Sequence, residues 1–596
     1  MRSGAARGRD YAYLLVLLAT GIVVNMVYSR MGFMPLDHSI VFDGGWRILN
    51  GQVPWRDFMT PSAVVPAAMQ AALFAVLGVN WFAYCLHASV VNGLFAALLY
   101  ILLVIMRLPR PLAFFYGVCA TFFFYPPIGV PYMEQHSFFF TLAAITCAVA
   151  GNYAESGWTQ KILWASVPVL ALLAFFSKQV PFVFAAVSLP VIMTLPGRSP
   201  VRTRVLLFAA AAAACLALLF ALGLILRVHR ADFIDYVFVR PVLEGRGRFV
   251  SWTGPLVHAI GRSPTEPARM GLTFAREALG LYLAGVIALP FAWPRAIPRS
   301  RESLNDISRA CCALVLAPVA YVSSMLLLVV THNQGEECIA FYPVAAGLVH
   351  AALWAELRAW RVGRAAPADD GKRPSTGEAK AAQGTRGLAV LLSPRSLLGN
   401  AAVVAVVVVS IVPIRNWTLD TVHFGNNVDA TRVTNDMRFS ARLAARSASQ
   451  LPAGMEFLRW TVPDRYHLEG WAGLISFLRS HDGNVLIIGD NLVTYALARK
   501  PSIAPNLWFH PGLAMPAPGE RAFARYEYQL ISRIQHDNVR YVVVEGAGTW
   551  LGIQIGHLAR LNAWLTSSWC QTRNFGDNRV FERCEVRETA SRPTGQ

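Results

Sequence analysis

Residues 81–106 read WFAYCLHASVVNGLFAALLYILLVIM, a run without lysine, arginine, aspartate or glutamate. As a helix rising about 1.5 Å per residue, it is long enough to cross the roughly 30 Å hydrocarbon core of a bilayer. The rest of the chain agrees with it. Of 596 residues, 55% are apolar or aromatic and only 15% are charged, against about 25% charged in soluble proteins. The mean hydropathy is +0.42.

By the same criterion, about eleven spans of mostly apolar sequence are expected. They lie at 11–29, 81–106, 111–125, 133–151, 161–177, 180–195, 205–227, 278–293, 310–330, 340–360 and 397–412. The net charge of +18, from 53 Lys and Arg against 35 Asp and Glu, would suggest nucleic acid in a soluble protein. Here the cations fall on alternate connections: Arg2, Arg7 and Arg9, then Arg107 and Arg110, Lys161, Arg198 and Arg202, Arg295 and Arg299, and Arg358 to Arg386. That pattern sets the N-terminus on the cytoplasmic side and needs no nucleic-acid partner.

The expectation is therefore a polytopic α-helical membrane protein of about eleven transmembrane helices with a C-terminal extracytoplasmic α/β domain. Residues 1–415 form the transmembrane module, with a first outer loop at 30–80, a long outer loop at 228–276 and a cytoplasmic linker at 361–396. Residues 416–596 form the periplasmic domain, and the expected location is a bacterial inner membrane, crossed many times. In the outer domain, NVLIIG (484–489) and RYVVVE (540–545) read as buried strands. Helical periodicity appears at 469–480, 492–500, 521–535 and 553–567. Cys570 and Cys584 flank a turn-like run, Asn574 to Asn578, and suit a disulfide in an oxidising compartment. The other cysteines fall mostly in apolar stretches and read as packing residues. No phosphate-cradling GxxxxGK loop and no HExxH helix is present.

The chemistry concentrates in the first outer loop, Pro35 to Phe58, PLDHSIVFDGGWRILNGQVPWRDF. Phe42, Trp46, Leu49 and Val53 recur at helical spacing, which predicts a short amphipathic helix lying on the membrane with that face in lipid. Gly51 ends it and Pro54 starts the next turn. Asp37 then stands just before the helix, where a carboxylate can take a proton from an attacking hydroxyl. Asp or Ser at such a position is equally a helix cap.

The run from Asp37 through Gly51 to Pro54, Asp57 and Phe58 resembles the first outer loop of GT-C membrane glycosyltransferases, which include the aminoarabinose and protein mannose transferases. The resemblance extends to the Pro-led apolar helix at 61–78, the many spans and the outer C-terminal domain. It implies transfer of a sugar from a polyprenyl-phosphate carrier to a lipid, polysaccharide or protein acceptor, with the first-loop Asp as base. Many relatives carry Asp-Glu where this chain has Asp37 and His38, so Asp43 stands as a rival.

Further polar residues sit at the outer ends of spans. Glu134, Gln135 and His136 open the fourth span and either line an acceptor site or make a solvated helix start. Lys178 separates two apolar segments and suits either a carrier phosphate or lipid headgroups. Arg56 and Asp57 close the first-loop run and join the substrate-binding candidates, as does Arg240, one of several arginines of the long loop suited to phosphate or anionic headgroups. His332 and Glu336 would share a helical face; that spacing keeps a divalent metal among the candidates, although two ligands do not define a site. Asp490, after the first strand, lies at a ligand edge of an α/β sheet or caps the helix that follows. A transporter or lipid flippase is the alternative; it would show paired repeats with Gly/Pro-broken spans near the midplane, and no such pairing is found.

Overall fold

A computed structural model describes residues 4–30, 33, 35–126, 128–155, 157–246, 308–317, 319–320, 323, 338–364, 451–458, 468–546 and 553–584. Helices dominate. In chain order the first nine are α1 (Gly4–Tyr28), α2 (Pro35–Leu49), α3 (Val64–Leu77), α4 (Trp81–Ile105), α5 (Arg110–Phe123), α6 (Met133–Tyr153), α7 (Gly157–Ser177), α8 (Gln179–Thr194) and α9 (Val201–Ile225). Among the described residues, α1, α4, α7 and α9 are long and apolar enough to cross a membrane, and α3, α5, α8, Ser308–Ala317 and Pro343–Ala352 are shorter apolar helices. The chain is a multi-pass membrane protein. The expected spans at 278–293 and 397–412, most of that at 310–330, the linker at 365–396 and the loop from 247 lie outside the described residues.

The reason these helices need lipid is clearest in α9, which buries only Arg204 along its length. Phe220 and Leu218 are each 60% exposed, a surface that water would not tolerate but hydrocarbon does.

The described residues form two compact units. The first comprises Met1–Met31, Cys85–Leu222 and Gly245–Asn435. Its helices meet through small residues. A Cβ on Gly21 of α1 would come within 2.5 Å of Gly93 Cα on α4, the close backbone approach that drives helix association where no hydrophobic force acts. Polar side chains bridge the same helices. Asn92 donates to Gly21 O and Thr121 O, both at 2.9 Å, and Asn25 donates to Ser89 Oγ and Gly129 O at 3.0 Å.

The second unit comprises Gly32–Tyr84, Gly223–Glu244 and Asp436–Gln596. The expected boundary at 415/416 lies outside the described residues; by contact, α2, α3 and residues 223–244 go with the C-terminal sheet. That sheet has four strands, β1 (Asn484–Ile488), β2 (Val539–Glu545), β3 (Trp569–Phe575) and β4 (Asn578–Arg583), in the order β1-β2-β4-β3. β1 and β2 are parallel, whereas β4 runs antiparallel to both β2 and β3. Helices Leu468–Ser480 and Arg521–His536 pack their apolar residues, among them Leu474, Leu478, Leu530 and Ile534, against Val485 to Ile488 and Tyr541 to Val544. Cys570 and Cys584 form a disulfide at the base of the β3–β4 hairpin.

Two expectations for α2 need correction. It begins at Pro35 rather than after Asp37, because proline suits the first helical position, where an N–H would go unpaired. Much of its apolar face meets protein, although Leu49 is 37% exposed. Phe42 is wholly buried against Phe74, Trp81 and Tyr84, and Trp46 packs on the core of the C-terminal sheet. Gly44 and Gly45 permit this, since a Cβ on either would reach within 2.9 Å of Ala67 or Gln70 on α3.

Candidate active site

Asp37 lies in the first turn of α2, where the unpaired N–H groups of the helix favour a negative charge. It is half-buried, while its neighbours Leu36, His38, Ser39 and Ile40 are buried. Asp37 is therefore the one partly exposed residue between Leu36 and Ile40.

Asp43, one and a half turns on, has a different setting. It is 0% exposed, receives Arg47 Nε at 2.7 Å and accepts a hydrogen bond from Ser502 Oγ. Burial lifts its carboxyl above the usual range, against the opposing pull of Arg47 and Ser502. Arg47, also 0% exposed, donates on to Ala504 O at 2.8 Å and stacks over the Phe58 ring at 5.1 Å.

Arg56 and Asp57 pair with each other at 2.6 Å. Asp57 Oδ2 also accepts the Val53 N–H at 2.7 Å, closing the turn after Gly51. Burial would raise the Asp57 carboxyl, but Arg56 and the Val53 N–H outweigh it and hold it below the usual range. Trp55 sits in this turn at a φ of 59°, a conformation that costs a non-glycine residue energy. Its indole donates to Thr60 O and its ring meets Phe233 edge-on. Arg240 follows a π-helical turn, Asp235–Val239, and pairs with Asp235 at 2.8 Å and Glu520 at 3.5 Å.

At the carboxyl ends of β1 and β2, Glu545 accepts the backbone N–H groups of Asp490 and Asn491, both at 2.9 Å. An α/β sheet commonly offers such N–H groups to a ligand anion; here an internal carboxylate occupies them. Burial drives Glu545 up to about 7, with the two N–H bonds opposing.

In the first unit, Glu134 opens α6 at 1% exposure and meets Lys178 Nζ at 3.1 Å. Lys178 is extended between α7 and α8, and its carbonyl accepts Ser137 Oγ at 2.8 Å. His136 is buried, with Tyr125 Oη 2.7 Å from Nδ1 and His87 Nε2 2.9 Å from Nε2. The structure thus joins Glu134 to Lys178 and gives His136 two partners that sequence did not suggest. His332 and Glu336 lie outside the described residues. Among the described residues, no group of three or more His, Cys, Asp or Glu could hold a metal ion.

Arg47, Ser502, Glu545, His87 and Tyr125 are the residues sequence reasoning missed. Only the first had a signal: Asp43 and Arg47 are four apart, the spacing of an ion pair on one helical face.

No protein-family model and no curated protein matches the sequence. Among solved structures, the chain is similar to ArnT from Cupriavidus metallidurans bound to undecaprenyl phosphate, at 12% identity and a TM-score of 0.45 over 96% of this chain and 98% of that one. The apo state of the same protein gives 13% identity and 0.45, over 97% and 98%. An oligosaccharyltransferase from Archaeoglobus fulgidus, in complex with zinc and sulfate, gives 11% identity and 0.36, over 90% and 68%.

Proposed function

We propose that the protein is a GT-C-type membrane glycosyltransferase that moves a sugar from a polyprenyl-phosphate carrier to an envelope acceptor at the outer face of the bacterial inner membrane. Asp37 takes the proton of the attacking acceptor group. The acceptor oxygen or nitrogen bonds to the anomeric carbon as the bond from that carbon to the carrier phosphate breaks, which inverts the centre. The phosphate leaves with the bonding pair, and a cation neutralises the charge where it develops. Lys178, Arg56 and Arg240 are the candidates for that cation, and each of them already shares its charge with a carboxylate.

One observation carries the reading: Asp37 is a partly exposed acid on a helix whose other acid, Asp43, is 0% exposed. A base must meet its substrate, which a wholly buried Asp43 does not. The resemblance of the Asp37 to Phe58 run to the GT-C first loop supplies the reaction class. Glu134 and His136 are proposed to lie on the acceptor side.

The test is incubation of the purified protein with radiolabelled polyprenyl-phosphate sugars and envelope extract. Label transferred to a lipid, polysaccharide or protein product supports the reading. Carrier moved across a sealed vesicle with no labelled product supports a flippase and overturns it.

A further inference from the structure

Segment 490–507 of the outer domain follows α2 along its whole length, although Trp46 and Lys500 are 454 residues apart in the chain. At the N-terminal end, Phe33 stacks on Trp471 at 5.1 Å, Trp471 donates to Thr494 Oγ1 at 2.8 Å, and the Val493 N–H reaches Ser39 Oγ at 3.4 Å. At the C-terminal end, Trp46 Nε1 donates to Lys500 O and Gln52 Nε2 to Ser502 O, both at 2.8 Å. Beyond α2, Met59 and residues 505–507 exchange backbone bonds of 2.7 and 3.0 Å, and Arg533 donates to Asp57 O at 2.7 Å.

Between these ends lies the Asp43–Arg47 pair. Apolar contacts alone would let a helix slide along its partner at little cost. A buried guanidinium does not, because its donors leave in a fixed fork and every displaced register strands a charge without water. Arg47 is satisfied in one arrangement: Asp43 on its own helix, Ala504 O at 2.8 Å and Asn506 O at 3.4 Å on the facing segment. Ser502 Oγ closes the other side of Asp43.

We infer that Arg47, with Asp43, is a positioning residue that fixes the register of α2 against segment 500–506, so that the outer domain serves as the mount of the first-loop acid. Asp37 is carried on the same rigid helix, about 15 Å along the axis from Arg47 at about 1.5 Å per residue. The kinetic part of this inference rests on the reading of Asp37 as base; the structural part does not.

The experiment uses the purified full-length protein in detergent and compares wild type with Arg47→Lys, which keeps the charge and loses the fork. Amide exchange in 35–49 and in 500–507 should accelerate together by about tenfold, the loss of one charged hydrogen bond, while α6 exchanges as in the wild type. With radiolabelled polyprenyl-phosphate sugar as donor, kcat should fall at unchanged donor KM, and the acid limb of the pH profile should stay in place. Should Arg47→Lys not fold, Ser502→Ala removes one neutral bond and should give the same paired pattern at about threefold. Unchanged exchange in either segment, or acceleration spread equally over α6, overturns the mount. An acid limb that shifts in Arg47→Lys makes Asp43 the base and overturns it too. A fully active Asp37→Asn would instead sink the proposed mechanism, leaving the exchange result to decide the mount alone.

Discussion

Lys178→Met tests two roles of one side chain. The substitution removes an ammonium 3.1 Å from Glu134 Oε1 and leaves a carboxylate at 1% exposure without its counter-charge. Stranding one member of a buried pair costs roughly 3–5 kcal/mol, which for a chain of 596 residues lowers the melting midpoint by roughly 3 °C. Glu134→Gln should cost less, because Lys178 at 14% exposure retains some access to water. The double variant Glu134→Gln/Lys178→Met removes both charges and should melt close to Glu134→Gln, above Lys178→Met alone. Donor KM, measured with radiolabelled polyprenyl-phosphate sugar, should follow a different order. It rises wherever the lysine is missing, in the double variant as much as in the single, because the carrier phosphate loses its cation whether or not the fold is repaired. A double variant no more stable than Lys178→Met refutes the pairing argument. A stable double variant with the wild-type donor KM refutes the phosphate role.

Glu545 makes stability depend on pH in the direction opposite to an ordinary salt-bridged carboxylate. Its folded value of about 7 lies above the ordinary glutamate value of 4.5, so between those values the folded state holds the extra proton and loses stability as pH rises, by at most about 3 kcal/mol. Wild type should therefore gain on Glu545→Gln between pH 8 and pH 5 in thermal melts; an equal gap at both pH values contradicts the assignment. Removing the disulfide by Cys570→Ser/Cys584→Ser opens a loop with a sequence separation of 14 and should cost about 3 kcal/mol. Reductant should lower the wild-type midpoint toward that of the variant, and an insensitive wild type counts against the bridge. Gly21→Val places a branched side chain where a single Cβ already comes within 2.5 Å of Gly93. Overpacking of this kind costs about 1–3 kcal/mol, and a variant that melts like wild type would mean that α1 and α4 do not cross there.

The helices were legible because their signal is local. Runs such as 81–106 and 133–151 are set by composition, and α4 and α6 follow them to within a few residues. The strands 484–488 and 539–545 were legible for the same reason, being short β-branched runs between turn residues. The start of α2 was in the sequence as Pro35, but the Asp37 cap competed for the same role. What faced α2 was not legible. Phe42 and Trp46 mark an apolar stripe equally well for lipid or for protein, and the choice is made by Gly44 and Gly45 meeting α3 and by segment 500–506, hundreds of residues downstream. Sealing of Asp43 was hidden likewise: its partner Arg47 is visible at four residues, whereas Ser502 and Ala504 have no local signature. Glu134 and Lys178 illustrate the same limit, since each has a helix-end explanation of its own until their 3.1 Å contact joins them.

The central claim is that the first-loop acid at Asp37, and not Asp43, accepts the proton. Its most direct measurement is the pH profile of kcat for Asp37→Asn and Asp43→Asn, each normalised to folded protein, with radiolabelled polyprenyl-phosphate sugar as donor. Asp37→Asn should lower kcat by about 10²–10⁴-fold and abolish the acid limb, and Asp43→Asn should lower the midpoint while the acid limb stays in place. Wild-type turnover in Asp37→Asn, with the acid limb lost in Asp43→Asn, would contradict it.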